Sequence, residues 1–187
     1  MFGVTTTIRE STAGRDLAGR DINHTHVARA PTAMARLVEQ YLAETIADQT
    51  LTAWTEKLEH FLTNEASPDI RGLEEKLLAA GREDMLKVAM LRKQSASKAI
   101  MKQQGSRSAQ TIYSFVMADI VVNFEMSVWP LVQAGANREI VDAAMLEKVI
   151  SPALKILESN PLMLNKMDIQ GLFYFLAGNC YIRWDAC

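Results

Sequence analysis

From Pro31 to the end of the chain, apolar residues recur every three or four positions with no strand-like alternation between them. Each such stretch makes a helix with an apolar stripe, and the stripe has to be buried against other helices. The pattern therefore confines the chain to an all-α fold, a multi-helix bundle with short connections between antiparallel neighbours. With 187 residues, 49% of them hydrophobic and 22% charged, the chain can bury a core of its own.

Punctuation residues set the expected helices. The first has Pro31 in its opening turn and runs to about Asp48, with Met34, Leu37, Val38, Tyr41, Leu42 and Ile46 on its stripe. A second carries Leu51, Trp54, Leu58, Phe61 and Leu62. Ser67 and Pro68 read as the cap and first turn of a third, which continues through Leu73, Leu77 and Leu78 to Gly81. A long helix from Arg82 to Gln104 stops at Gly105, and Ser106 or Ser108 caps the next. That helix, with Ile112, Phe115, Val116, Ile120, Val121, Phe124, Val128 and Trp129, is dense enough to be the central core helix until Pro130 kinks or ends it. Arg138 to Glu158 is interrupted at Ser151-Pro152, and Asn160-Pro161 breaks the chain again. Asp168 is expected to cap a last helix from Ile169 to about Arg183, with Phe173, Phe175, Leu176 and Trp184 buried and Arg183 at the negative end of the dipole.

Residues 1–30 are different, and the domain division is drawn there: an arm over 1–30 and a helical domain over 31–187. The arm is β-prone and contains a tandem repeat, Ala13-Gly14-Arg15-Asp16-Leu17 followed by Ala18-Gly19-Arg20-Asp21-Ile22. One reading is a flexible tail that repeats by chance. The other is an oligomerisation arm, too short to close a sheet alone, that pairs with copies of itself. Ile8, Leu17 and Ile22 would be buried in that pairing, and Arg15, Asp16, Arg20 and Asp21 would face opposite charges in register.

Several function classes are disfavoured. A net charge of −2 argues against a protein organised around a nucleic-acid backbone. The longest uncharged apolar runs, such as Ala118 to Asn123 broken by Asp119, fall short of the ~20 residues of a membrane span. The N-terminus has neither the basic nor the apolar region of a signal peptide, so a cytoplasmic protein with reduced thiols is expected. Phosphate-binding loop, zinc-protease, nucleophile-elbow and calcium-loop motifs are all missing. His24 and His26 share a face if extended, which is the start of a metal site or simply two polar side chains. Cys180 reads as a small core residue and Cys187 as an exposed terminal thiol. His60 reads as a half-exposed or satisfied histidine rather than a general base. Glu74-Glu75 and Glu83-Asp84 read as helix-start acids. No catalytic residue, metal ligand or cofactor is assigned.

One charged feature stands out. Lys87, Arg92, Lys93, Lys98, Lys102 and Arg107 fall in a stretch without any acid. Lys87, Lys98 and Lys102 share one side of a helix, opposite Met85, Leu86, Ala89, Ala96 and Ile100. This side can be a solvated surface, a contact for an acidic protein, or a nucleic-acid contact, although no aromatic residues alternate with the cations as a base-stacking platform would need.

The ending Phe175-Leu176-Ala177-Gly178-Asn179-Cys180 with Arg183-Trp184, and the earlier Gly72-Leu73-Glu74-Glu75-Lys76-Leu77 and Ala80-Gly81-Arg82, resemble the C-terminal helical domain of proteins from ABC-three-component systems, bacterial conflict (anti-phage) loci. The resemblance covers most of residues 31–184, and Tyr181 stands where the resembled pattern has histidine. In such systems an ABC ATPase and a small middle component work with a third protein, whose helical domain follows a variable effector domain. The resemblance thus implies an adaptor or assembly subunit whose partners are the ATPase, the middle component or an effector protein. About thirty residues precede the helical part, too few for an effector, so any toxic activity is expected in another chain. The expected function is a non-enzymatic, self-associating adaptor. The alternative is a small nucleic-acid-associated regulator using the basic side over 87–107.

The helical domain is expected to fold without metal or cofactor. A chelator should leave its thermal midpoint unchanged, and a fall of many degrees would count against this.

Overall fold

The computed structural model describes residues 31–47, 54–63, 71–157 and 161–184. The arm with Ile8, Arg15, Asp16, Leu17, Arg20, Asp21 and Ile22 lies outside the described residues, as do His24, His26, Leu51, Ser67, Pro68 and Cys187. The described part is all-α. In chain order its helices are α1 (Ala33–Ala47), α2 (Glu56–Leu62), α3 (Leu73–Ala79), a 3-10 turn (Glu83–Met85), α4 (Leu86–Lys102), α5 (Arg107–Ser127), α6 (Trp129–Gln133), α7 (Arg138–Ala144), α8 (Ser151–Ile156) and α9 (Lys166–Gly178).

Local chemistry fixes most of the helix ends. Gly81 takes φ +64°, a left-handed conformation that closes α3, and the Arg82 N–H bonds back to the Leu77 carbonyl at 2.8 Å. The Ser106 hydroxyl accepts from the Ala109 N–H at 3.1 Å and starts α5. Ser108 is not a cap: with Ser106 it donates to the Glu44 carboxylate, at 2.8 and 2.7 Å, and ties α1 to the start of α5. Burial raises the Glu44 pKa, but these hydrogen bonds and the charge of Arg107 outweigh that and hold it below its usual 4.5. Pro130 ends α5 as expected and opens α6.

Several boundaries differ from the sequence reading. Pro31 precedes α1, and Thr32 supplies the cap through its hydroxyl, 3.1 Å from the Ala35 N–H. Leu42 faces outward rather than into the core. The helix holding Leu73 does not begin at Ser67-Pro68: Arg71 and Gly72 are outside it, Gly72 is extended, and the Gly72 N–H donates to the Glu75 carboxylate at 3.1 Å. Asn165, not Asp168, caps α9: its side chain accepts from the Met167 and Asp168 N–H groups, while Asp168 reaches back to the Asn165 N–H at 2.8 Å. At Ser151-Pro152 the chain is not interrupted. The turn Met145–Ile150 widens into a π-helix between α7 and α8, and so accommodates a proline that lacks an N–H and would crowd an ordinary α-turn.

The most enclosed helix is α9 rather than α5. Ile169, Leu172, Phe173, Leu176 and Ala177 are all essentially inaccessible, and α9 packs chiefly on α4, with α3, α5 and α8 around it. The approach to α4 is close because residue 171 is glycine: a Cβ there would sit 2.8 Å from the Arg92 carbonyl oxygen. The other side of the core is α5, which carries α1, α2 and the π-turn. Trp184 is buried, edge-on to Phe173 at 5.0 Å between ring centroids, as are Phe173, Phe175 and Leu176.

The helix ends at Gly178, so Arg183 is off α9, exposed, and does not face its dipole. Cys180 is not a core residue of a continuing helix either. It adopts φ +74°, turns the chain out of α9, and lets the Tyr181 N–H reach the Leu176 carbonyl at 3.0 Å. The cation at the helix terminus is Lys76 of α3, only 3% exposed, which donates to the carbonyls of Ala177 at 2.7 Å and Ile182 at 3.0 Å. Asn179 donates to the Phe61 carbonyl at 2.9 Å, and the Tyr181 hydroxyl donates to the His60 carbonyl, which latches α2 onto the same turn.

Two glycines of α9 should respond differently to one methyl group. Gly171→Ala drives its Cβ into backbone and should cost about 1–3 kcal/mol in urea unfolding. Gly178→Ala meets only the flexible end of Lys93 and should cost less than about 1 kcal/mol. Equal costs would show that α4 and α9 are not in close backbone contact.

Candidate interaction surface

The acid-free stretch divides in two when it folds. Arg92 and Lys93 turn inward: Arg92 donates to the Gln170 side chain on α9, and the Lys93 stem lies over Gly178. Arg107 is exposed at the start of α5. Lys87, Lys98 and Lys102 are left on the outer side of α4, all exposed, while Ala89, Ala96 and Ile100 are buried beneath them.

That outer side is not simply cationic. Met90, Leu91 and Met101 are exposed among the lysines, Leu91 by 58% and Met101 by 54%. Sequence reasoning missed them because it paired the lysines against the buried stripe; their spacing on the lysine side was the available signal. Lysine stems can lie along such side chains while their ammonium groups stay in water. An apolar surface rimmed by one sign of charge is the composition of a protein contact more than of a solubilising face.

A second surface lies on α5. Its inward side, with Ile112, Val116, Ile120 and Phe124, belongs to the core, while Phe115, Val122 and Met126 are exposed along the opposite side. Next to Phe115 an apolar groove of about 430 Å³ runs between α2 and α5, with Lys57 above the Phe115 ring at 5.9 Å. The helical run Arg107–Gln133 is therefore apolar nearly all round, and by length and composition alone it is apolar enough to cross a membrane. The sequence reading concerned uncharged runs, and those stay short here, because Asp119 and Glu125 interrupt the helix.

The remaining polar candidates have structural surroundings. His60 is exposed and edge-on to Phe61 and Tyr181. Glu75 bonds the start of α3, and Asp84 pairs with Arg138 at 2.7 Å. Asp119, bonded to Asn123 at 2.9 Å, has its pKa raised by burial. Among the described residues no three His, Cys, Asp or Glu side chains come together as a metal site.

The family CTD9, C-terminal domain 9 of the ABC-three component (ABC-3C) systems, matches residues 72–184, more than half of the chain. The chain belongs to that family. No curated protein and no solved structure matches it. The segment matched to C-terminal domain 9 starts at Gly72, in front of α3, and closes at Trp184, so it contains the whole outer side of α4. Membership of an ABC-3C system implies association with its other components.

Proposed function

We propose that this protein is a non-enzymatic, cytoplasmic adaptor or assembly subunit of an anti-phage ABC-3C complex, which binds an acidic surface of a partner component through the outer side of α4. The observation that carries this reading is Lys87, Lys98 and Lys102 set among exposed Met90, Leu91 and Met101 with no acid on the helix. Buried apolar area supplies affinity, and the cations set the partner's sign and speed the encounter. The same mixture disfavours the nucleic-acid alternative, since phosphate backbones offer nothing to methionine and leucine. Self-association through residues 1–30 is the second half of the proposal, and rests on the tandem Gly-Arg-Asp repeat.

The test is copurification with the ATPase and middle component of the same system. Reversing Lys87, Lys98 and Lys102 to glutamate should weaken capture by about tenfold or more with the helical circular-dichroism signal unchanged. Unchanged capture would overturn the assignment of α4. Salt-sensitive retention on DNA, abolished by the same substitutions, would favour the regulator instead.

Deleting residues 1–30 should lower the mass measured by light scattering and leave the helical signal in place. A full-length protein already monomeric at tens of micromolar would refute the oligomerisation arm.

A further inference from the structure

The open side of α5 has a spacing of its own. Thr111, Phe115, Ala118, Val122, Glu125 and Trp129 follow one another at intervals of four and three residues, and each is exposed or half-buried. Alternating intervals of four and three are those of a seam along which two helices pair. Phe115 is 39% exposed, Val122 55%, and Met126 beside the seam 76%. Ala118, near its middle, is small and open to solvent, so a second backbone can come close there.

Charge says what fits this seam. Glu125 is its only charged residue and lies towards the C-terminal end of α5. At the other end stands Lys57 of α2, its ammonium 5.9 Å from the centre of the Phe115 ring. Glu56 lines the groove beside Lys57, and Arg183 lines a hollow together with Glu125, so each end carries a cation and an acid. Asp119, the other acid of α5, lies off the seam and is bonded by Asn123 at 2.9 Å. A face balanced in this way selects neither a strongly acidic nor a strongly basic partner. Its complement presents the same charges in reverse order, which is what the face itself presents when turned end over end.

We infer that the open side of α5 pairs with the same side of a second copy of this chain, the two α5 helices antiparallel about a two-fold axis level with Ile120. Counting about 100° per residue, Phe115 and Met126 lie in one line along α5, and Ala118 and Glu125 in another. The second line borders the groove of α2, since Ala118 lines it. In the two-fold arrangement Ala118 faces Val122 of the second copy, and Met126 lies against the Phe115 ring of the second copy, a favourable sulfur–aromatic contact. Glu125 reaches Lys57 of the second copy, and symmetry makes every such contact twice. The pairing uses no residue of 1–30 and none of α4, and so stands apart from both the arm and the component-binding surface.

Sedimentation velocity of the full-length protein across the micromolar range tests this. Glu125→Lys and Lys57→Glu should each raise the dissociation constant of self-association by about tenfold, and the double exchange Lys57→Glu/Glu125→Lys should restore it. Val122 is exposed, so Val122→Glu should keep the helical circular-dichroism signal and weaken self-association by at least as much. A dissociation constant unchanged in Val122→Glu, or no rescue by the double exchange, would overturn the inference. Self-association lost on deleting residues 1–30 but untouched by Val122→Glu would assign it to the arm alone. A monomeric full-length protein whose Val122→Glu variant no longer captures the ATPase or middle component would overturn the inference too, and give the seam to that component.

Discussion

The buried ammonium of Lys76 is the interaction on which the rest of the bundle depends. A helix end leaves carbonyls without partners, and α9 ends inside the protein, where water cannot supply them. Lys76 donates to one carbonyl at that end and to another in the segment that follows, so it neutralises the dipole and holds the departing chain. Each carbonyl left bare would cost on the order of 1–3 kcal/mol, and a charge buried without them considerably more. Because α9 is the element around which α3, α4, α5 and α8 pack, its termination governs how they all meet. The Asn179 and Tyr181 bonds to α2 can form only once the chain has turned there.

What was legible in the sequence was local. Gly81, Ser106 and Pro130 announced their turns because backbone preference acts over a few residues, and the buried aromatics Phe173 and Trp184 followed from their density. Lys76 was not legible as a cap, since its carbonyls lie 101 and 106 residues away and nothing in periodicity encodes such a pairing. Asn165 and Asp168 are both competent caps, and sequence alone did not show that the second serves the first in a reciprocal pair. The π-turn was hidden for a related reason: proline announces a disturbance, but whether the helix breaks or widens depends on what packs around it.

The surface was only half legible. Charge pattern located the lysines of α4, but an apolar residue reads as core until its surroundings are known, so Met90, Leu91 and Met101 were assigned to neither face. For α5 the density of apolar residues pointed to the central core helix, and one side is nonetheless open. Two sides of one small domain thus keep apolar surface outward, one rimmed by lysine and the other next to the groove of α2. Such a distribution costs solubility in isolation and is the expected composition of a subunit that works among other chains.

The Lys76 and Arg82 contacts also have a topological consequence. Both residues belong to the opening of the matched segment, and both grip its closing residues, Ala177 and Ile182 in one case and Trp184 in the other. Entry and exit of this segment are therefore pinned to one another across a single junction, as in domains that tolerate insertion into loops of unrelated proteins. Within this segment, a link from Trp184 back to Gly72 and a new opening at the exposed Gly135 turn would leave α3 to α9 with the packing partners they have in the native order.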